Sequence, residues 1–280
     1  MTRTRAYAAI VLAGDRGPDD PIAAATGAPC KSLSPVGGIA LLERVLETLR
    51  DTPRIGSIIV VGPARTMFAD DSHAAAQLDT LLQMPGVRWV APADSPSASA
   101  AGALALLEPD QPALLTTADH ALLRPSMIAP LLAAEGNDLS VGMVEYAAVR
   151  AAYPHSRRTA IRLGRGDGYC SCNLFAIHTA AGRQLVSDWR RVERERKNPA
   201  RVVAGMLGWI GVLRYALHRL TLADAFARLS RRRRVNVSAV LLSEPEAAID
   251  VDSLADLRLV ESILATRLAA FAGNRRVDTT

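Results

Sequence analysis

Short apolar, β-branched runs alternate with helical stretches through the first half of this chain, and each run stops at a turn or a carboxylate. Ala6 to Leu12 (AYAAIVL) drops into a loop at Gly14, and Ala113 to Ala118 (ALLTTA) stops at Asp119. Ile55 to Gly62 (IGSIIVVG) and Val87 to Ala91 (VRWVA) are two further runs. Between them, Ile39 to Leu49 carries apolar residues at helical spacing, and Ala100 to Leu107 reads as helix. Such alternation implies βαβ units and a mainly parallel sheet. Ligands of these sheets bind beyond the carboxyl ends of the strands. The 13–31 loop and Asp119 both follow strands directly, which brings Lys31 and Asp119 to one edge and into one candidate site.

Beyond Leu139 the pattern changes. Leu139 to Val144 and Cys172 to Ile177 read as strands framing an arginine-rich segment, YPHSRRTAIRLGRGDGY. A helical insertion is expected from Ala180 to Leu229, then a strand at Val235 to Leu242. AIDVDSLADLRLVESIL reads as a turn entering a helix, and Asn274 to Thr280 as a frayed tail. A chain of 280 residues suits one α/β domain over 1–280, with a basic helical insertion at about 180–234.

All but two of the 33 basic residues are arginine, the exceptions being Lys31 and Lys197. The net charge is +5, concentrated in 183–234 and ending in the run Arg231 to Arg234. Such a stretch favours phosphates, anionic lipid or nucleic acid. No aromatic–basic interleaving accompanies it, so nucleic acid is not the expected partner. Three cysteines without metal-site spacing imply a reduced, cytoplasmic protein, and the amino terminus does not read as a signal peptide. The longest uncharged apolar run of the basic region, Val202 to Leu213, has twelve residues, where a membrane span needs about twenty.

Several residues could carry chemistry. Backbone N–H groups around Gly14 and Gly17 suit an anion. Arg16 and Lys31 could neutralise a polyphosphate, one as a planar fork and the other as a point charge. The loop is neither a P-loop nor a GxGxxG dinucleotide pattern, and Asp15 is awkward beside phosphates. Asp119 and the pair Asp250 and Asp252 follow apolar runs, and magnesium binds through one or two carboxylates plus phosphate oxygens. Asp252 also suits a helix N-cap. Arg157, Arg158, Arg162 and Arg165 either clamp an acceptor phosphate or form a solvated basic hairpin.

Three segments carry a family resemblance. AIVLAGDRG…CKSLSPVGGIALLERVLETL resembles the opening loop of the MobA-like nucleotidyltransferases, TTADHALL resembles their T-x-x-D-x-P-L element, and IDVDSLADL resembles their closing D-x-D-T-P-E-D-L. The order is conserved across residues 7–260. The resemblance implies a Rossmann-like, three-layer GT-A-type α/β fold with a mainly parallel sheet, here bearing a helical insertion. It implies a nucleoside triphosphate bound along Leu12, Ala13, Gly14 and Asp15, Lys31 and Arg16 as catalytic groups at its phosphates, and Mg2+ held by Asp119 and Asp252 with Asp250. ADSPSASAAGAL resembles a serine-containing segment near the nucleotide, pointing to Ser97 or Ser99, and Asn173 matches an acceptor-facing asparagine. Departures from the pattern are Asp15 for a glycine, Arg16 one place early, a longer loop before Lys31, Ala121 for proline and Leu254 for proline.

The reaction implied is attack of an acceptor phosphate on the α-phosphate with release of pyrophosphate. That chemistry is positioning and electrostatics, and it needs no general base, so His120 is expected to be structural. CTP is favoured over GTP as the donor, to a small phosphorylated acceptor such as a lipid head-group precursor. The insertion, with Trp209 and Tyr215 among arginines, either packs as a helical subdomain or lies peripherally at the inner face of a membrane. A molybdenum-cofactor nucleotidyltransferase is the nearest rival. From other classes, a GT-A glycosyltransferase would carry D-x-D where this chain has ADH, and a non-catalytic nucleotide or membrane-surface module would bind without turnover.

Overall fold

In the computed structural model the described residues are 6–15, 19–134, 136–166, 168–194, 208 and 210–277. Strand β1 (Tyr7–Leu12) is buried on both faces because it lies near the middle of a seven-stranded sheet. Its side chains alternate: Tyr7, Ala9 and Val11 enter one apolar layer, and Ile10 enters the other. The other sheet strands are β4 (Ile55–Val61), β5 (Val87–Val90), β6 (Ala113–Thr117), β7 (Leu139–Glu145), β8 (Tyr169–Ile177) and β9 (Val237–Leu241), ordered β5-β4-β1-β6-β8-β7-β9. All run parallel except β8, which is antiparallel to β6 and β7. A short hairpin, β2 (Pro35–Val36) and β3 (Ile39–Ala40), stands apart from the sheet.

Helices cover both faces. Helices α2 (Leu41–Asp51), α3 (Ser72–Leu82), α5 (Pro125–Ala133) and α6 (Tyr146–Ala152) bury their apolar stripes in the Tyr7 layer. Helices α4 (Pro96–Ala105) and α7 (Ala180–Arg194) bury theirs in the Ile10 layer, whereas α8 (Leu222–Arg233) buries Leu222 and Ala225 in a smaller cluster with Met143, Leu163 and Leu220. A third apolar cluster ties α1 (Pro21–Thr26) and α9 (Leu254–Val277) to Ala121, Leu122, Ile249 and Val251. The three-layer α/β architecture that the resemblance implies is therefore present, and the sheet is mostly parallel, as the alternating runs predict.

Some boundaries differ. Helix α4 starts at Pro96 rather than Ala100, because the Ser95 hydroxyl accepts from the Ala98 N–H at 3.2 Å and proline is tolerated in the first turn. Residues 274–277, expected in a frayed tail, belong to α9. Of the insertion, α7 packs on α4, and α8 packs on β9. Trp209 and most of the KNPARVVAGMLG stretch lie outside the described residues.

Candidate functional site

The carboxyl edge of β1 is pinned before any side chain is considered. Ala13 N–H donates to Val61 O at 2.9 Å, and Ala118 N–H donates to Leu12 O at 3.0 Å. The first residues of the phosphate-type loop therefore lie against the ends of β4 and β6. Gly62 makes that approach feasible: its φ is +88°, and a Cβ there would stand 2.9 Å from the Ala13 carbonyl oxygen.

Downstream, Asp20 caps α1 by accepting from the Ile22 N–H at 2.9 Å. The chain then tightens into a 3-10 turn, Lys31–Leu33. Asp15 anchors that turn, since its carboxylate accepts from the Ser32 N–H at 3.2 Å. The residue that looked awkward beside phosphates thus closes the loop on itself. Arg16 and Gly17 lie outside the described residues.

Lys31 is the centre of the constellation. Its Nζ donates to Asp119 Oδ2 at 2.6 Å and to Asp252 Oδ1 at 2.9 Å. Burial alone would lower its pKa, but the charges and hydrogen bonds of Asp119 and Asp252 outweigh it, and the ammonium stays protonated far above neutral pH. Asp119 directly follows β6 and the buried Ala118. A backbone bond from Val251 N–H to Asp119 O, 3.1 Å, locks its segment to the 250–252 loop. Ala121, the position of the family's proline, sits buried in the same apolar cluster as Ile249 and Val251.

Asp252 is not the helix cap. Ser253 takes that place, with its hydroxyl accepting from Asp256 N–H at 3.3 Å while donating to Asp256 Oδ2 at 2.7 Å. Asp252 is left 65% exposed, with Oδ1 paired to Lys31. Asp250 is different: it is nearly buried, and burial first, then the charges of Asp119 and Asp252, push its pKa up to about 8. Its Oδ2 accepts from the Asn173 amide at 2.8 Å.

Asn173 reaches Asp250 because of an irregularity in β8. The β7–β8 ladder pairs Val141 with Phe175 and Met143 with Ser171, so three residues of β8 oppose Gly142 alone. Asn173 sits in that bulge with φ +49°, and bulges of this kind re-aim a side chain beside a site.

Of the arginines expected at the acceptor, Arg157 and Arg162 are exposed on the loop between α6 and β8. Arg158 is placed otherwise. Its guanidinium is largely buried, ion-paired with Asp256, and donates to the Asp250 carbonyl at 3.1 Å, so its contacts tie it to the 250–256 loop. Ser99 is likewise tied down, its hydroxyl accepting from Ala93 N–H at 2.9 Å. Ser97 lines a cleft beside Leu12 and Thr117. His120 is fully buried, neither ring nitrogen has a partner, and burial lowers its pKa to about 4.

The carboxylates suit a hard cation held jointly with phosphate. Asp119 Oδ1 and Asp250 Oδ1 are solvent-excluded acceptors without a partner, and Asp252 is open. Among the described residues no three His, Cys, Asp or Glu side chains form a ready cage. Among the same residues no helix is long and apolar enough to cross a membrane.

Comparison with known proteins shows chains of similar fold. A hypothetical transferase from Thermus thermophilus is 27% identical over 90% of this chain and 99% of its own, with a TM-score of 0.71. A 4-diphosphocytidyl-2C-methyl-D-erythritol synthase from Anaerococcus prevotii shares the fold at 15% identity, over 94% of this chain and 97% of its own, TM-score 0.57. A CMP:2-keto-3-deoxy-manno-octonic acid synthetase complexed with CTP does so at 12%, over 94% and 99%, TM-score 0.53. No curated protein matches the chain in sequence. The MobA-like NTP transferase domain matches residues 9–209, which takes in the loop to Lys31, Asp119 and Asn173 but stops short of Asp250 and Asp252. On that span and this fold, the chain belongs to the MobA-like NTP transferase domain family and is a nucleotidyltransferase.

Proposed function

We propose that the protein transfers a nucleoside monophosphate from a nucleoside triphosphate, CTP in preference to GTP, to a small phosphorylated acceptor, with magnesium and with release of pyrophosphate. The observation that carries this reading is the Lys31 ammonium held between Asp119 and Asp252 at the carboxyl edge of the sheet. An ammonium paired with two carboxylates at this edge is a cation positioned where a polyphosphate and its metal would come together.

In this reading the donor's phosphates lie over Ala13, Gly14 and the Asp15-anchored turn, with Leu12 and Ser97 beside the nucleoside. Arg16 belongs to the same loop. Lys31 exchanges its carboxylate partners for phosphate oxygens and stabilises charge as the bond from the α-phosphorus to the bridging oxygen breaks. An acceptor phosphate oxygen forms the new bond to that phosphorus. A phosphate monoester is already anionic near neutral pH, so no side chain removes a proton. Asp119 and Asp252 would hold magnesium, which supplies charge neutralisation at the phosphates when bound. Asp250 stands behind them, fixing the Asn173 amide on the acceptor side, with Arg157 and Arg162 as exposed cations nearby. CTP as donor is supported by two fold neighbours, one named for a diphosphocytidyl product and the other complexed with CTP.

The test is a pyrophosphate-release screen of the four nucleoside triphosphates against phosphorylated alcohols and sugars, with and without magnesium. Magnesium-dependent release that needs both a triphosphate and a phosphorylated acceptor is expected. Release of a nucleoside diphosphate instead, or no release with any pair, would refute the reading.

A further inference from the structure

Asp119 and Asp252 reach Lys31 from two loops, and neither stands on a helix or a strand. One loop runs from the end of β6 to Arg124, which directly precedes α5. The other leaves β9, tightens into a 3-10 turn at Pro245–Ala248 and carries Asp250 and Asp252 into α9. Near the site the two share a backbone hydrogen bond, Val251 N–H to Asp119 O. One such bond fixes a point and leaves a pivot. Holding the spacing of two side chains to a fraction of an ångström takes a second point of attachment.

Glu246 supplies it. Its Oε2 stands 3.7 Å from Nη2 of Arg124, the residue that ends the Asp119 loop. Its Oε1 accepts from the Tyr153 hydroxyl at 2.9 Å and stands 3.5 Å from Nη2 of Arg267. Tyr153 closes α6, and Arg267 lies on α9, the helix that Asp252 leads into. Among the described residues, Glu246 is the one carboxylate paired with either arginine. Burial would raise the Glu246 pKa, but its own backbone N–H, the Tyr153 hydroxyl and the two guanidinium charges bring it below its ordinary value. Burial, then the bond to Glu246, push the Tyr153 pKa up to about 12, so the phenol remains a donor. The link between the loops is therefore in force across the neutral range.

We propose that Glu246 is a positioning residue for nucleotidyl transfer: it ties the Asp252 loop to the Asp119 loop at a second point and so sets the spacing of the two carboxylates. The inference rests on the nucleotidyl-transfer reading above. Glu246 touches neither substrate nor metal in that reading, and acts only through the side chains that would hold magnesium. Residues standing behind metal ligands typically carry about 10–100-fold in metal affinity or activity. As a contribution to stability a part-exposed ion pair such as Arg124–Glu246 is small, so its effect belongs in the site rather than in the fold.

The experiment compares Glu246→Gln with the wild type. Glutamine keeps the volume and an acceptor for Tyr153 while removing the charge that holds both arginines. In pyrophosphate release, the magnesium concentration at half-maximal rate should rise about ten-fold and kcat should fall, with acceptor KM within about two-fold of wild type. Arg124→Met breaks the same link from the other loop and should give the same pattern. The double variant should be no worse than the poorer single, because both substitutions remove one contact. Urea unfolding checks that each variant is folded; a merely structural Glu246 would lower the midpoint and leave the magnesium dependence alone. Unchanged magnesium dependence in either folded single variant, or losses that simply add in the double, would overturn the inference while leaving the reaction class intact. If the wild type turns over no donor–acceptor pair, water-proton relaxation of the Mn2+·CTP complex decides separately. Binding weakened about ten-fold in Glu246→Gln supports the link, and binding equal in the two proteins, or absent from both, overturns it.

Discussion

Replacing His120 by leucine should make the protein less sensitive to acid without weakening it at neutral pH. The imidazole is fully buried with both nitrogens unpartnered. Burial lowers its pKa from 6.5 to about 4, against a smaller opposing pull from Asp119. Between those values the unfolded chain holds a proton that the folded chain refuses. The stability tied to this residue is therefore present above pH 6.5 and is lost as pH falls toward 4. The shift amounts to roughly 3 kcal/mol over that window. Leucine does not titrate, so that part of the slope should vanish in His120→Leu. It also removes a buried N–H that makes no hydrogen bond, a defect costing about 1–3 kcal/mol, so the variant should be at least as stable as wild type at pH 7.5. Urea unfolding of both proteins at intervals from pH 4.5 to 7.5, with linear extrapolation, gives the comparison. Parallel pH profiles, or a loss above about 2 kcal/mol for the variant at pH 7.5, would show the reasoning wrong.

Lys31→Met keeps the length of the side chain and removes the cation shared by Asp119 and Asp252. Steady-state kinetics with the best donor–acceptor pair should show kcat reduced by about 10²–10³, and Lys31→Arg should not restore it, because a planar fork cannot replace a compact ammonium at this spacing; a fall of less than ten-fold in Lys31→Met would remove Lys31 from the chemistry. Arg158→Ala leaves the half-buried Asp256 without its ion-pair partner and should cost about 1–3 kcal/mol in denaturant unfolding. The residual activity should show reduced kcat with acceptor KM little changed, whereas Arg157→Ala or Arg162→Ala should raise acceptor KM; the reverse pattern would return Arg158 to the acceptor.

The strands were legible because a buried parallel strand must be a continuous apolar run, and AYAAIVL, IGSIIVVG and ALLTTA are such runs. Helices were harder. SHAAAQLDTLL buries only Ala74, Leu78 and Leu81, too thin a stripe to stand out, and PSMIAPLLA holds Pro130 inside a helix. Helix α1 is six residues long and exists through the Asp20 cap and its packing on α9. Lys31 could be singled out from sequence as the lysine an arginine-rich chain retains. Its contacts could not, since Asp119 and Asp252 lie 88 and 221 positions away. The same limit explains Arg158: nothing near YPHSRRTAIR announces a partner 98 residues on, and in sequence a buried structural arginine looks the same as an exposed phosphate clamp.

The bulge in β8 divides the two halves of the site by stiffness. In the proposed reading the donor side rests on the loop that follows β1, whose length can change without disturbing the sheet. In the same reading the acceptor side hangs on a strand whose ladder is in register before and after Cys172–Leu174. The aim of Asn173 is set by how many residues are squeezed opposite Gly142, a count that substitutions leave alone and that only an insertion or deletion alters. Over evolutionary time such a protein would retune its nucleotide in small steps and its acceptor in jumps.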